Sequence, residues 1–188
     1  MTSGNLERTL NSLPPCPATF KEPMECLAVP TLPQGLDWLY EIKFDGYRAI
    51  AVKSGGRLNL FSRRRNLFNS QYSLVFEALA DFPDDTVIDG EVVALNESGR
   101  PDFNLLQHYR AEASRIHYFV FDLLVYDNRD LTQLSLVERR QIMKAVLKRR
   151  LGTCLVPLAA KGWKVSLLRG ETAGTRLENV MALGPSTD

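Results

Sequence analysis

Tyr40-Glu-Ile-Lys-Phe-Asp-Gly-Tyr-Arg48 is the stretch on which the reading of this chain turns. Side chains alternate between the two faces of a strand, so Glu41, Lys43 and Asp45 share one face while Ile42 and Phe44 take the other. A lysine set between two acids, followed by the Gly46 turn and Arg48, concentrates charge on one side of an element whose other side is apolar. Taken by itself, such a cluster is equally compatible with a solvated strand surface carrying local ion pairs.

Working outward from it, Trp38 to Lys43 and Tyr47 to Lys53 read as two strands broken at Gly46. Ser54-Gly55-Gly56 is a turn, and Arg57 to Ser62 a third strand. Gln71 to Asp81 places Leu74, Val75, Ala78 and Leu79 at helical spacing. Val87 to Leu95 is a strand, Asn96 to Arg100 a turn, and Asp102 to Tyr109 a short helix capped by Asp102. His117 to Tyr126 is an apolar, aromatic-rich strand. Ser135-Leu-Val-Glu138 is a capping box that opens a helix with Ile142, Met143, Val146 and Leu147 on its inner side. Strands in hairpins with interspersed helices predict an α+β domain with antiparallel or mixed sheets and packed helices.

Two further segments carry chemistry. In Val87-Ile-Asp-Gly-Glu-Val-Val-Ala94, Glu91 interrupts an apolar run, where a carboxylate costs energy unless it is paired or binds a cation. The plain alternative is a hairpin turn at Asp89-Gly90 with Glu91 at its edge. In Tyr118-Phe-Val-Phe-Asp-Leu-Leu-Val-Tyr126, Phe121 is either a platform on which a base stacks or simply core. The basic runs Arg63-Arg64-Arg65, Arg139-Arg140 and Lys148-Arg149-Arg150 complete the inventory, the last two reading as solvated helix faces.

K-x-D-G, then S-R at Ser62-Arg63, then D-G-E at Asp89-Gly90-Glu91, then an aromatic strand with Phe121-Asp122, in this order, resembles the covalent nucleotidyltransferases. That superfamily holds the ATP-dependent ligases and the RNA capping enzymes. The flanks Phe20-Lys-Glu-Pro-Met24 and Gly99-Arg-Pro-Asp-Phe-Asn-Leu-Leu-Gln107 look like the adenylation domain of bacterial end-joining DNA ligases. The resemblance covers roughly residues 18–150. It implies an incomplete nucleotidyltransferase (ATP-grasp-like) adenylation domain that works with ATP and a divalent metal, Mg or Mn. The implied partners are nicked or broken duplex DNA and other end-joining proteins. It implies that Lys43 attacks the α-phosphorus of ATP, for which its amine must first lose a proton. By the same resemblance, Glu41 accepts a hydrogen bond from the adenine amino group and Phe121 stacks on adenine. Arg48 and Arg63 contact ribose, phosphate or the nicked strand. Glu91 holds the ribose or the metal, and Asp45 orients the Lys43 loop.

The chain departs from that pattern in two places. Arg64 and Arg65 stand where the family usually has Asn or Gly. The tail, 151–188, lacks the family's later E-G-x-V-x-K and W-x-K-x-K/R motifs and the OB-fold domain beyond them. A shifted reading frame accounts for this. Codons permitted for Lys161 to Thr172, read one nucleotide earlier, give E-G-L-E-G-V-V-A-K-R-R-D. Continued to Asp188 they give S-R-Y-E-A-G-K-R-Y-G-A-W-S-K-Y-R. The expected organisation is therefore an extended, proline-rich lead-in over 1–35, an adenylation core over 36–150, and an atypical, frameshifted tail over 151–188, whose part from Lys161 on shows neither helical nor strand periodicity. Complete nick sealing is not expected of such a chain. A non-catalytic nucleotide- or DNA-binding remnant and an RNA capping relative are the alternatives.

Composition fits a globular domain and limits its class. The chain has 188 residues, 45% hydrophobic and 24% charged. The net charge of +1 is low for a dedicated nucleic-acid-binding domain. No apolar run approaches the roughly 20 residues that span a membrane, and the N-terminus has no secretory stretch, so a cytoplasmic place is expected. Cys16, Cys26 and Cys154 are too far apart for a zinc or redox motif and are expected to be reduced thiols.

Overall fold

The computed structural model describes residues 3–25, 28–31, 33, 39–108, 116–147, 154–155 and 180–183. Its elements in chain order are α1 (Ser3–Ser12), β1 (Leu39–Ile42), β2 (Tyr47–Ser54), β3 (Arg57–Ser62), α2 (Ser73–Leu79) and β4 (Thr86–Ala94). There follow α3 (Phe103–Gln107), β5 (Ile116–Tyr126), β6 (Arg129–Asp130), α4 (Leu136–Leu147), β7 (Cys154–Leu155) and β8 (Val180–Leu183). The chain divides into two compact units. The first is Met1–Pro23 with Asp45–Pro157, and the second is Met24–Phe44 with Leu158–Asp188.

The first unit is built on one sheet of order β3-β2-β4-β5-β6, antiparallel throughout, with the short β7 added parallel to β5. Its central strand, Thr-Val-Ile-Asp-Gly-Glu-Val-Val-Ala, is buried at every position but Glu91. A strand covered on both faces reads as a near-continuous apolar run, which is why its β-branched residues show little alternation. One face of the sheet carries Ala49, Ala51, Leu58, Leu60, Ile88, Val92 and Tyr118 and packs with Val75 and Leu79 of α2 and Ile142, Met143 and Val146 of α4. The other face carries Ile50, Val52, Val87 and Val125, packed with Ala18 and the half-buried Cys16 and Phe20. The extended stretch that supplies these last residues is tied down by backbone groups. The Cys16 N–H donates to the Asn128 carbonyl at 3.1 Å and the Ala18 N–H to the Asp85 carboxylate at 2.9 Å.

Gly90 sits mid-strand, so the turn considered at Asp89-Gly90 does not form. A Cβ there would meet the Phe119 carbonyl and lie 2.8 Å from the Tyr118 ring. The missing side chain makes room for that ring, whose hydroxyl donates to the Ala49 carbonyl at 2.8 Å and the Ile88 carbonyl at 3.2 Å, tying together β2, β4 and β5. The capping box forms as expected. Glu138 accepts from the Ser135 N–H at 2.9 Å and from its hydroxyl at 2.7 Å. Asp102 caps α3 by accepting from the Leu105 N–H at 3.1 Å.

Three elements differ from the sequence expectation. The lead-in opens with a helix, α1, that sets Leu6 and Leu10 against the main core. Residues Val180–Leu183 of the tail form a strand where no periodicity was seen. Arg139 and Arg140 do not form a solvated helix face: Arg140 is 7% exposed and the Arg139 side chain 12%.

In the second unit, β8 pairs antiparallel with β1, Glu41 lying opposite Met181 and Ile42 opposite Val180. The expected strand over Trp38 to Lys43 is thus present, four residues long. Tyr109 and the Lys148-Arg149-Arg150 run lie outside the described residues, as do Cys26 and most of the tail.

Candidate nucleotide-binding face

Arg48 and Glu91 are opposed in register on β2 and β4, and Asp89 is opposed to Asp122 of β5. Between Asp89 and Gly90 the register slips, because Gly90 pairs with Val120. Phe121 is the extra residue of this β-bulge. A bulge bends its strand and re-aims side chains. Without it, Val120 and Leu123 would fall on opposite faces, yet both belong to the main core.

The bulge brings Phe121 to a charged neighbour. The Arg48 guanidinium lies 5.3 Å from the Phe121 ring centroid, within range of a cation–π contact. That guanidinium is held along its edge by Asp89. Its Nε donates to one carboxylate oxygen at 2.6 Å and Nη2 to the other at 2.5 Å. The forked geometry fixes the plane of the group, and its remaining N–H donors are available to a ligand. Asp89 itself is 5% exposed. Burial raises its carboxyl above the ordinary range, and the hydrogen bonds and charge of Arg48 pull it back only in part. Burial also works against the Arg48 charge, but the hydrogen bond and charge of Asp89, with that of Glu91, outweigh it and raise Arg48. The result is a fixed cation on an aromatic ring, beside the half-buried carboxylate of Glu91.

Of the residues expected to form the site, the structure therefore gathers Arg48, Glu91 and Phe121 on neighbouring strands of the first unit. Arg63 stands one residue beyond β3, exposed, at the start of the turn to Asn66. Asp45 is exposed just before β2. Lys43 is exposed and belongs, with Glu41, to the second unit, where the β1 backbone leads into it. Gly46 is the glycine the chain needs next. A Cβ there would strike the Val92 carbonyl and approach the Glu91 Cγ to 3.0 Å.

The Arg64-Arg65 departure has a visible consequence. Arg65 adopts φ 61°, the left-handed region that Asn and Gly enter readily. It is held there by its ring contact with Phe20, 4.6 Å from guanidinium carbon to centroid, and by an ion pair with Glu22 at 3.1 Å.

Asp89, Asp122 and Arg139 were not singled out from the sequence. Asp89 lies in the same apolar run that drew attention to Glu91, so the same argument about a carboxylate in a buried strand applied to it. Asp122 was noted only as the neighbour of Phe121. It receives Arg139 through Nε at 2.9 Å and Nη2 at 2.6 Å.

As for a metal, no cluster of three or more His, Cys, Asp or Glu side chains occurs among the described residues. Asp89 and Asp122 are engaged by Arg48 and Arg139, and Glu91 stands half-buried on the same sheet opposite Arg48.

The family model for the ATP dependent DNA ligase domain matches residues 22–158. The multifunctional non-homologous end joining protein LigD of Mycolicibacterium smegmatis is 37% identical over 110 residues, 58% of this chain and 14% of that protein. The prophage-derived DNA ligase-like protein LigB of Bacillus subtilis is 31% identical over 113 residues, 58% of this chain and 41% of that one. The solved structure of mycobacterial DNA ligase D complexed with ATP and MES superposes with a TM-score of 0.54 at 32% identity, covering 64% of this chain and 39% of that chain. The chain thus spans well under half the length of these relatives. With most of its length inside the match, the chain belongs to the ATP-dependent DNA ligase domain family.

Proposed function

We propose that this chain carries the nucleotide-binding part of an ATP-dependent DNA ligase, with Lys43 as the nucleophile that takes up AMP. The observation that carries the reading is the Asp89-held Arg48 lying on the Phe121 ring beside Glu91. A purine needs an apolar, polarisable surface, and the ribose and phosphates need fixed donors at its edge. This face pairs the Phe121 ring, 6% exposed, with such a donor.

The step is a displacement at phosphorus. The neutral Lys43 amine forms a P–N bond to the α-phosphorus of ATP. The bond from that phosphorus to the bridging oxygen breaks, and pyrophosphate leaves with its electron pair. The proton lost from nitrogen goes to solvent. Catalysis of such transfers rests on positioning and charge neutralisation. Arg48 and Arg63 supply positive charge, Glu41 reads the adenine amino group and Asp45 orients the nucleophile's loop. A divalent cation, Mg or Mn, would bind mainly to the phosphates, with Glu91 its protein ligand. Such ions commonly pair one or two carboxylates with substrate phosphates. AMP would then pass to a 5′-phosphate in nicked or broken duplex DNA, in repair or recombination. No helix among the described residues is long and apolar enough to cross a membrane, and a cytoplasmic place accords with this role.

Incubation with α-labelled ATP and Mg²⁺, then denaturing electrophoresis, tests the reading. A labelled band that vanishes in Lys43→Ala is expected. A folded chain without label, binding DNA in a salt-sensitive way independent of ATP, would instead favour a non-catalytic remnant acting through the exposed Arg63 and Arg64. The shifted frame of the tail is a separate part of the proposal. It predicts that the coding nucleotides for Lys161 onward, read one position earlier, spell the two absent motifs. Other codons there refute it.

A further inference from the structure

Two consecutive arginines of α4 converge on the bulge that presents Phe121. Arg139 forks onto the Asp122 carboxylate, Nε at 2.9 and 3.1 Å from its two oxygens and Nη2 at 2.6 Å. Its Nη1 donates to the Leu134 carbonyl at 2.7 Å, which fixes the guanidinium against the start of its own helix. Arg140 donates through Nε to the Phe121 carbonyl at 3.2 Å. The Asp122 carboxylate also accepts from the Leu123 N–H at 2.9 Å, so it holds the backbone on the far side of the bulge as well. Both side chains of the Arg139–Asp122 pair are nearly buried, 12% and 13% exposed. An exposed pair would contribute little, but a forked and largely desolvated one holds its geometry.

A bulge is a local irregularity whose position the ladder alone does not fix. A clamp on the residue next to Phe121 and a donor on its carbonyl supply that missing constraint. We propose that Arg139 is a positioning residue for the nucleotide base: through Asp122 it fixes the β5 bulge and with it the ring plane of Phe121. The proposal rests on the adenylation reading above and names the group that keeps its base platform in place.

The test uses the full chain and formycin 5′-triphosphate, a fluorescent isomer of ATP that keeps the exocyclic amino group and whose emission falls when the base stacks on an aromatic ring. Wild type is expected to bind with a quench that Phe121→Leu removes. Arg139→Met is expected to weaken binding about tenfold, the scale of a slight misplacement, and to reduce the quench. Arg139→Lys should fall between, because an ammonium lacks the planar fork. Val146→Ala loosens the same helix without touching Asp122. It should lower the melting temperature and leave the quench unchanged. If Arg139→Met fails to fold, Asp122→Asn, which keeps shape and loses charge, is read the same way. Unchanged affinity and quench in the clamp variants, or an equal loss in Val146→Ala, overturns the proposal and leaves the adenylation reading standing. A wild-type chain that neither binds the probe nor labels at Lys43 overturns both.

Discussion

Two of the chain's arginine pairs, Arg63-Arg64 and Arg139-Arg140, have opposite fates. Arg63 and Arg64 follow the end of β3 in a turn and are exposed. Arg139 and Arg140 sit one turn into α4 and are nearly buried against β5. Sequence and formal charge are identical, so the difference comes from what each faces. The turn faces solvent. The helix faces a strand that bears a carboxylate at Asp122 and, at the bulge, the Phe121 carbonyl. Buried charge is tolerated where it is paired and hydrogen-bonded, as Arg139 is by Asp122, while Arg140 gives one hydrogen bond to the Phe121 carbonyl.

The sharpest way to break this comparison is to remove a carboxylate from the buried side. Asp89→Ala would strand the Arg48 guanidinium, whose side chain is 26% exposed, beside an apolar ring. Removing one partner of a buried pair costs about 3–5 kcal/mol. Urea unfolding should show that loss in the midpoint, and a change below about 1 kcal/mol would mean that the pair is not desolvated as described. The same variant should weaken adenine nucleotide binding, since Arg48 loses the fork that sets its plane.

The two arginine sites are then compared directly. Arg139→Ala leaves Asp122 without its main partner and should cost about 2–3 kcal/mol, the range for a charged hydrogen-bonded group. Arg64→Ala removes the same chemical group from an exposed turn and should change stability by less than about 0.5 kcal/mol. Equal effects at the two positions would undo the distinction. Salt separates them as well. Raising ionic strength screens exposed charges far more than buried ones, so the Arg139–Asp122 contribution should persist.

Much of this was legible beforehand, for reasons that differ by element. Strands β2 to β4 were read from apolar runs beside turn residues, and β5 from an apolar, aromatic-rich run. The capping box at Ser135 and Glu138 located α4 because local hydrogen bonding fixes helix starts. The burial of Arg139 was also written in the chain. It lies three and four residues before Ile142 and Met143 and seven before Val146, on the stripe that faces the core. Reading it as solvated gave its charge precedence over its position. Leu6, Leu10 and Leu13 held a similar signal for α1 that the prolines further along obscured. The bulge at Phe121 was not legible, because alternation in β5 is consistent with a regular strand until β4 sets the register. Strands as short as β6, β7 and β8 exist only through their partners, so no local pattern announces them. As for the candidate site, Arg48, Glu91 and Phe121 were picked out by motif, while the pairings Arg48–Asp89 and Arg139–Asp122 required the fold.

The smallest expected effect concerns a charge at the exposed end of the same helix. Hydrogen bonds from the Ser135 hydroxyl and backbone pull the Glu138 carboxyl below its ordinary value of 4.5. A carboxyl depressed in the folded state contributes stability above the unfolded value and loses it as pH falls through the folded one. The contribution is therefore complete near neutrality and fades below about pH 4.5. Glu138 is exposed, and solvent screening limits the effect to a few tenths of a kcal/mol. Glu138→Gln keeps an acceptor but cannot titrate, so the stability difference between the two proteins should shrink as the solution is acidified. His117 titrates in the same experiment. Burial lowers its ring below 6.5, so stability falls as pH drops past that value. It does so equally in both proteins and cancels in the difference. A difference that stays constant down to the acid end would mean that the Ser135–Glu138 contact does not depend on charge, which would set the helix rim apart from the ionic clamps beneath it.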